Sequence, residues 1–185
     1  LGKYREGSTD ALRKLGQEMN FSVTIVSPLV MNGEAVSSTA VRAAIANGDM
    51  ERVSKLAGHP FSLHGHVVTG AGRGAGIGFP TANLDIDREQ ALPADGVYAS
   101  WAYINGKAYQ SMTNIGKCPT FDGVERTAEV YIVDYHGDLY DHELKVDIME
   151  RLRDERKFDA VEELKKQLVE DVKQGRAILD PKGRN

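Results

Sequence analysis

Glycine occupies every second position of residues 70–78, and the run Phe79-Pro80-Thr81-Ala82-Asn83 follows at once. Glycine leaves backbone N–H groups exposed, and such groups can form a concave anion-binding nest. In an extended segment residues i and i+2 project to the same face, so the Thr81 hydroxyl and the Asn83 amide oxygen would lie side by side. Mg²⁺ accepts neutral oxygen ligands and takes others from water and phosphate. The stretch therefore predicts a site for a metal-bound phosphate, with Arg73 adding positive charge.

Two better-known phosphate-binding motifs do not fit these glycines. Their regular spacing of two excludes G-x-G-x-x-G, and no G-K-[ST] is present. Pro80 also stops the loop from running directly into a helix whose N-terminus could hold an anion. On the glycines alone, a flexible surface loop followed by a turn is the commoner explanation. The Thr-x-Asn directly after Phe-Pro favours the metal and phosphate site.

Two further groups of residues could take part in phosphate chemistry. Glu129 lies in the apolar, β-branched run 128–133 and could act as a general base. An edge glutamate in a surface ion pair explains it equally well at this point. The segment Ser37-Ser38-Thr39 with Arg42 one turn later suits a phosphate at a helix N-terminus, although ordinary N-capping accounts for the serines too.

The first 58 residues have α/β character. Residues 8–19 have helical apolar spacing after a Ser8 or Thr9 cap, and Phe21 to Val26 alternates as a strand does. Two short helices are expected after Ser37, ending at Gly48 and Gly58.

Beyond residue 58 the pattern is that of an antiparallel sheet or barrel. Alternating segments are found at 63–69, 97–104, 107–115, 128–133 and 144–149. Asn105-Gly106 predicts a type I′ hairpin, and His136-Gly137-Asp138 predicts a second hairpin. A final helix is expected from Asp159, with Asp159 and Glu162 as a capping box and an apolar stripe at 164, 168 and 172 that packs across the sheet.

The composition limits the partners of the protein. A net charge of −4 and 7% aromatic residues disfavour a nucleic-acid-binding barrel, which needs a basic groove lined by aromatic platforms. Cys118 is the single cysteine, so no intramolecular disulfide can form and a cytoplasmic setting is expected. No apolar run is long enough to span a membrane. Small-molecule substrates are therefore the expected partners.

The glycine loop and the residues that follow it resemble the signature of the riboflavin kinases, and they read G-x-G-R-x-x-G-x-G-F-P-T-A-N-L. The likeness spans nearly all of 60–180, and its further parts are 93–98, 114–116, 119–121, Glu129, 138–140, 153–155 and Phe158. The resemblance implies a small antiparallel Greek-key β-barrel with a C-terminal helix. It also implies an enzyme that moves the γ-phosphate of ATP to the 5′-hydroxyl of riboflavin, giving FMN and ADP, with Mg²⁺ required. A flavin- or nucleotide-binding barrel without turnover is the alternative.

The same resemblance implies roles for individual residues. Glu129 would be the catalytic base, Thr81 and Asn83 would bind the metal, and Asp141 departs from the glycine usual in the family. The residues expected to bind ATP are Gly70, Gly72, Arg73, Gly74, Gly76, Gly78, Pro80, Thr81 and Tyr140. Those expected to bind the flavin are Arg153, Glu155 and Phe158.

The motif S-S-T-x-x-R resembles the phosphate-binding motif of the FMN adenylyltransferase domain that precedes the kinase in bifunctional bacterial FAD synthetases. It implies that Ser37, Ser38, Thr39 and Arg42 lie in the last part of a Rossmann-like nucleotidyltransferase domain, with the boundary between residues 1–58 and 59–185. The chain begins without Met, so we expect a longer protein. No H-x-G-H-like motif is found, so we expect this chain to be unable to adenylylate FMN.

Overall fold

The computed structural model describes residues 8–180 except 32, 71, 73, 88, 121 and 122. The chain divides into two compact units, Leu1–Val36 and Ser37–Asn185. The two helices after Ser37 therefore belong to the same unit as the sheet that follows them. The functional domain boundary expected after residue 58 stays a prediction.

The first unit contains helix α1 (Thr9–Glu18) and a two-stranded antiparallel ribbon of β1 (Val30–Met31) and β2 (Glu34–Ala35). The Ser8 hydroxyl accepts a hydrogen bond from the Ala11 N–H at 3.1 Å, so Ser8 is the N-cap, as one of the two expected candidates. The predicted strand at 21–26 is wrong, because residues 21–29 form no regular element. Alternation alone does not make a strand. A strand also needs a hydrogen-bonded neighbour, and the described residues provide none for this segment.

Helices α2 (Ser38–Asn47) and α3 (Met50–Ala57) open the second unit. Both end at the predicted glycines, Gly48 and Gly58, whose φ values of 71° and 79° lie in the left-handed region. Four buried side chains of α2 and α3 join the core of the sheet; they are Ala44, Ile45, Met50 and Val53.

Six strands of the described chain close into an antiparallel barrel in the order β3-β4-β7-β6-β5-β8. Strands β5, β6 and β7 follow one another as hairpins and β8 returns to lie beside β5, which is a Greek key. The predicted barrel is thus confirmed. The strands are β3 (Phe61–Val68), β4 (Thr81–Asp85), β5 (Gly96–Ile104), β6 (Lys107–Thr120), β7 (Gly123–Ile132) and β8 (Glu143–Arg153).

One of the two predicted hairpins is present. Asn105 and Gly106 have φ values of 49° and 77° and join β5 to β6, as a type I′ turn requires. The hairpin predicted at 136–138 is wrong. Strand β7 pairs with β4 and β6, whereas β8 pairs with β3 and β5, so the segment between them crosses from one pair of neighbours to another.

Helix α4 (Val161–Leu179) packs on the outside of the barrel, as expected. The predicted capping box is wrong: the N-cap is Ala160, which makes no side-chain capping bond, and Asp159 lies one residue before it. The buried side chains shared by α4 and the outer barrel face are Val97, Ala99, Met112 and Leu179. None of the helices in the described residues is both long and apolar enough to cross a membrane.

Candidate active site

A row of polar residues crosses the outer face of the barrel. Asn83 on β4, Glu129 on β7 and Asn114 on β6 are successive cross-strand partners. The residues on either side of Glu129, Ala128 and Val130, are fully buried in the barrel core. Because side chains alternate along a strand, Glu129 points away from the core and toward α4. The pleat and the register together therefore place two amides beside one carboxylate.

The Thr81 hydroxyl donates a long hydrogen bond, 3.4 Å, to the Glu129 carboxylate. Thr81 and Asn83 lie on the same face of β4, as predicted from their spacing. The resulting set of hydroxyl, amide and carboxylate oxygens fits a hard cation that completes its shell with phosphate and water. Within the described residues, no cluster of three or more His, Cys, Asp or Glu side chains could hold a metal ion.

The glycine loop lies directly against the predicted metal ligands. A Cβ atom at Gly70 would overlap the Asn83 amide, and one at Gly74 would lie 3.7 Å from the Thr81 hydroxyl and overlap the backbone carbonyl of Phe79. Only glycine permits so close an approach of the two segments. Within the loop, Ala75–Ile77 form a short 3₁₀ helix.

The other predicted loop residues differ in their surroundings. Gly72 and Gly78 have φ values of 66° and 88°, in the region that glycine adopts most readily. Added Cβ atoms at Gly72, Gly76 and Gly78 would meet nothing within 4 Å. Arg73 lies outside the described residues.

A cavity of about 300 Å³ lies between the outer barrel face, the glycine loop and α4. Ligand pockets for small molecules typically begin at roughly this volume and have mostly apolar walls with a few polar groups. Glu129, Thr81 and Asn114 lie at its barrel side, and the apolar stripe of α4 forms the opposite wall. The wall residues include Val97, Met112, Tyr131, Phe158, Leu164, Leu168 and Val172.

A second cavity of about 150 Å³ lies at the other side of Thr81. Pro80 and Tyr140, two of the residues predicted to bind ATP, line it together with the crossing segment between β7 and β8. Asp141 at the end of that segment has a φ of 60°. This left-handed conformation explains why glycine suits the position and why aspartate, which tolerates it better than most residues, can replace it.

Arg153, predicted to bind flavin, makes a buried ion pair with Asp171 of α4. Its Nε lies 2.9 and 3.1 Å from the two carboxylate oxygens and its Nη2 lies 2.8 Å from Oδ2. Gln167 donates a further bond of 2.8 Å to the same carboxylate. Both charged side chains line the larger cavity, so Arg153 contributes to its wall while it holds α4 against β8.

The two other predicted flavin residues also line the larger cavity. The Phe158 ring lies under two guanidinium groups, at 5.8 Å from that of Arg153 and 4.5 Å from that of Arg156. The Glu155 carboxylate lies so close to Gly116 that a Cβ atom there would overlap it. The end of β8 and the segment that follows it thus bring all three predicted residues to one cavity.

An aromatic pair joins the end of the glycine loop to the barrel. The Phe79 and Tyr131 rings are 5.1 Å apart and tilted by 54°. Tyr131 is the cross-strand partner of Thr81, so this contact lies beside the predicted metal ligands. Burial, together with the Asp134 carboxylate, raises the pKa of the Tyr131 phenol, which stays neutral at physiological pH.

The residues of the other predicted phosphate site lie at the start of α2. Ser37 is the N-cap, and its hydroxyl accepts a bond of 3.1 Å from the Ala40 N–H. Ser38, Thr39 and Arg42 follow in the first turns of the helix. Capping therefore accounts for Ser37, and a phosphate role for the four residues stays a prediction.

Sequence reasoning missed the α4 residues Asp171 and Gln167 and gave no role to Asn114. An acidic residue in an amphipathic helix normally indicates a solvated face, so the residue type gives no sign that Asp171 is buried. Its spacing is the available signal. Asp171 lies seven residues after Leu164 and three after Leu168, and this spacing places it on the apolar stripe.

The family model described as riboflavin kinase matches residues 57–179. The chain belongs to this family and contains its kinase domain. Several curated relatives are named bifunctional riboflavin kinase/FMN adenylyltransferase. The one from Escherichia coli K12 is 38% identical, and the match covers 92% of this chain and 55% of the relative. The one from Listeria monocytogenes is also 38% identical, and the match covers 96% of this chain and 57% of the relative. The chain thus spans about half the length of these relatives.

The solved structures that resemble the fold include the following two. A crystal structure described as a macrolide-efflux protein from Streptococcus pneumoniae superposes with a TM-score of 0.82 at 39% identity, covering 89% of this chain and 54% of the other. The riboflavin kinase of Trypanosoma brucei gives a TM-score of 0.50 at 23% identity, covering 68% of this chain and 84% of the other. The second likeness supports the barrel fold alone.

Proposed function

We propose that this chain transfers the γ-phosphate of ATP to the 5′-hydroxyl of riboflavin. The hydroxyl oxygen forms the new P–O bond, Glu129 takes the hydroxyl proton, and the bond between the γ-phosphorus and the bridging oxygen breaks with its electron pair leaving on ADP. The products are FMN and ADP. Such a transfer depends mainly on positioning and charge stabilisation, so few protein groups need to react.

The observation that carries the proposal is the position of Thr81. Its side chain lines both cavities, and its hydroxyl lies 3.4 Å from the Glu129 carboxylate, which lines the larger one. A phosphate donor in the smaller cavity and an acceptor in the larger one would therefore meet beside a single carboxylate. Two cavities that share Thr81, with a proton acceptor near its hydroxyl, suit a two-substrate transfer.

The protein groups on the nucleotide side bind and orient ATP. Pro80 and Tyr140 line the smaller cavity, where the adenosine part would lie. The glycine loop would cover the phosphates, because its backbone already reaches the Thr81 and Asn83 side chains. Mg²⁺ held by Thr81 and Asn83 would neutralise phosphate charge.

The larger cavity suits the flavin. Its walls combine aliphatic side chains of α4 with the Phe158 and Tyr131 rings, which can cover a planar aromatic ring system. Its polar lining includes Glu129 and the Arg153–Asp171 pair. A bound ring between the apolar walls would leave its sugar-alcohol chain directed toward Glu129.

Glu129→Gln tests the proposal. The substitution keeps the shape of the side chain and removes the proton acceptor, so kcat for FMN formation should fall about 10²–10⁴-fold. Riboflavin binding, followed by quenching of flavin fluorescence, should change little. Glu143→Gln is the matched control, because Glu143 is on β8 and its side chain is 85% exposed.

The same experiment separates the enzyme from a binding module. If the unaltered chain binds riboflavin but makes no FMN from ATP and Mg²⁺, it is a binding barrel. If the chain makes FMN and Glu129→Gln makes it at the same rate, the base has been assigned to the wrong residue.

We further infer that a longer protein containing this chain also converts FMN and ATP to FAD. The curated relatives carry both activities in their names, and the chain matches about half of their length. The S-S-T-x-x-R motif at the start of α2 supports a phosphate site that a preceding Rossmann-like domain would complete.

A further inference from the structure

The Asn114 side chain faces the larger cavity and has no assigned partner. Asn114 lies on β6 between Thr113 and Ile115, both fully buried in the barrel. Alternation therefore turns its amide outward, where it is partly buried in the cavity wall. Within the part of the chain that the structure describes, this amide forms no side-chain hydrogen bond. A half-buried amide without a protein partner is suited to bind a ligand.

Asn114 is also the direct neighbour of the proposed base. It is the cross-strand partner of Glu129, and side chains in such a pair have Cβ atoms about 4.5–5.5 Å apart. One polar atom of a ligand can contact both side chains at this separation. Because the Asn114 amide is neutral, it provides a hydrogen-bond donor beside Glu129 and adds no second negative charge next to the carboxylate.

The two amides that flank Glu129 have different surroundings. The Asn83 side chain lies under the backbone of Gly70, on the glycine-loop side. Asn114 lies among the apolar wall residues, next in its row to Val97 of β5. The carboxylate thus has one amide on the phosphate side and another on the flavin side.

We propose that Asn114 is a substrate-positioning residue that donates an N–H hydrogen bond to the acceptor hydroxyl of riboflavin. The inference rests on the proposed function and deepens it. The hydroxyl oxygen has two lone pairs: one forms the bond to phosphorus, and the other accepts the hydrogen bond from Asn114. Its proton points to Glu129, which removes it. The three groups together fix the direction in which the oxygen attacks.

Asn114→Ala and the isosteric Asn114→Asp test this role, because both remove the N–H donor and only the first also removes volume. Dissociation constants for riboflavin and for lumiflavin, which has the ring system without the sugar-alcohol chain, are measured by fluorescence quenching. Asn114→Ala should weaken riboflavin binding about 3- to 10-fold, the effect of one neutral hydrogen bond, and leave lumiflavin binding unchanged. Both variants should also lower kcat by about tenfold or more, since the hydroxyl loses its orientation.

Phe158→Ala is the comparison variant, because it removes a cavity wall and should weaken both flavins equally. The positioning role would be overturned if Asn114→Ala lost the same affinity for riboflavin and lumiflavin. It would also be overturned if Asn114→Asp kept the wild-type kcat. A wild-type chain that binds both flavins but forms no FMN would instead overturn the proposed function, and the comparison of the two flavins would still decide whether Asn114 contacts the chain hydroxyl.

Discussion

The buried ion pair between Arg153 and Asp171 should be the principal polar anchor of α4. The exposed fractions of the two side chains are 18% and 2%, and the carboxylate accepts bonds from the guanidinium and from Gln167. Asp171→Ala would leave the guanidinium in the cavity wall without its counter-charge. Removing one partner of a buried pair costs about 3–5 kcal/mol, and we expect the lower end because Arg153 keeps some access to water.

A second ion pair on the same helix provides a matched control. Arg176 of α4 and Asp134 approach to 2.7 Å, but their side chains are 47% and 78% exposed. Exposed pairs contribute about 0–1 kcal/mol, so Arg176→Gln should have a small effect. Thermal unfolding followed by circular dichroism should then show Tm lowered by about 6–12 °C in Asp171→Ala and by less than about 4 °C in Arg176→Gln.

A double substitution distinguishes charge pairing from simple packing. Arg153→Met with Asp171→Leu removes both charges and keeps apolar volume, so it should cost less than Asp171→Ala alone. If Asp171→Ala is no less stable than Arg176→Gln, or if the double variant is as unstable as the single one, the pair does not anchor α4 in the way described. Because the pair also lines the cavity, Asp171→Ala should raise KM for riboflavin more than KM for ATP.

Two further outcomes are expected. In urea unfolding, Gly48→Ala should destabilise the chain more than Gly58→Ala. Both glycines have a positive φ, which costs about 1–2 kcal/mol for alanine. Only at Gly48, however, would the new Cβ atom meet the hydroxyl of buried Tyr98, at 2.6 Å. If both variants lost the same free energy of unfolding, the packing of α2 on the barrel would have adjusted to the new Cβ atom. Incubating this chain with FMN, ATP and Mg²⁺ should give no FAD by chromatography; appreciable turnover would mean that the residues present suffice for adenylyl transfer.

Some local signals in the sequence predicted local structure correctly, whereas the capping box at the start of α4 and the strand at 21–26 were wrong. Asn105-Gly106 determines its turn by its own backbone preferences, and the ends of α2 and α3 follow from Gly48 and Gly58. The hairpin at 136–138 was predicted on the same kind of signal, but there the partners of β7 and β8 lie elsewhere in the barrel. Strand pairing over long sequence separation cannot be deduced from turn residues.

The candidate site was predictable only in part for the same reason. The spacing of Thr81 and Asn83 places them on one face of a strand, which requires no knowledge of the fold. That Glu129 lies opposite Asn83, and Asn114 opposite Glu129, depends on the register of three strands. Resemblance to a family supplied Glu129 as a candidate, whereas Asn114 gained a role only when the register was known.

The larger cavity, which we propose for the flavin, depends on α4 because of the size of the barrel. Side chains pack the interior of the six-stranded barrel, and Leu63, Tyr98 and Val130 are all fully buried there. The larger cavity therefore lies on the outer face, where a curved sheet alone offers a convex surface. Helix α4 provides the second wall that turns this surface into a cavity. The phosphate side, by contrast, is built from β4 and the glycine loop, so loosening α4 should affect flavin binding before it affects nucleotide binding.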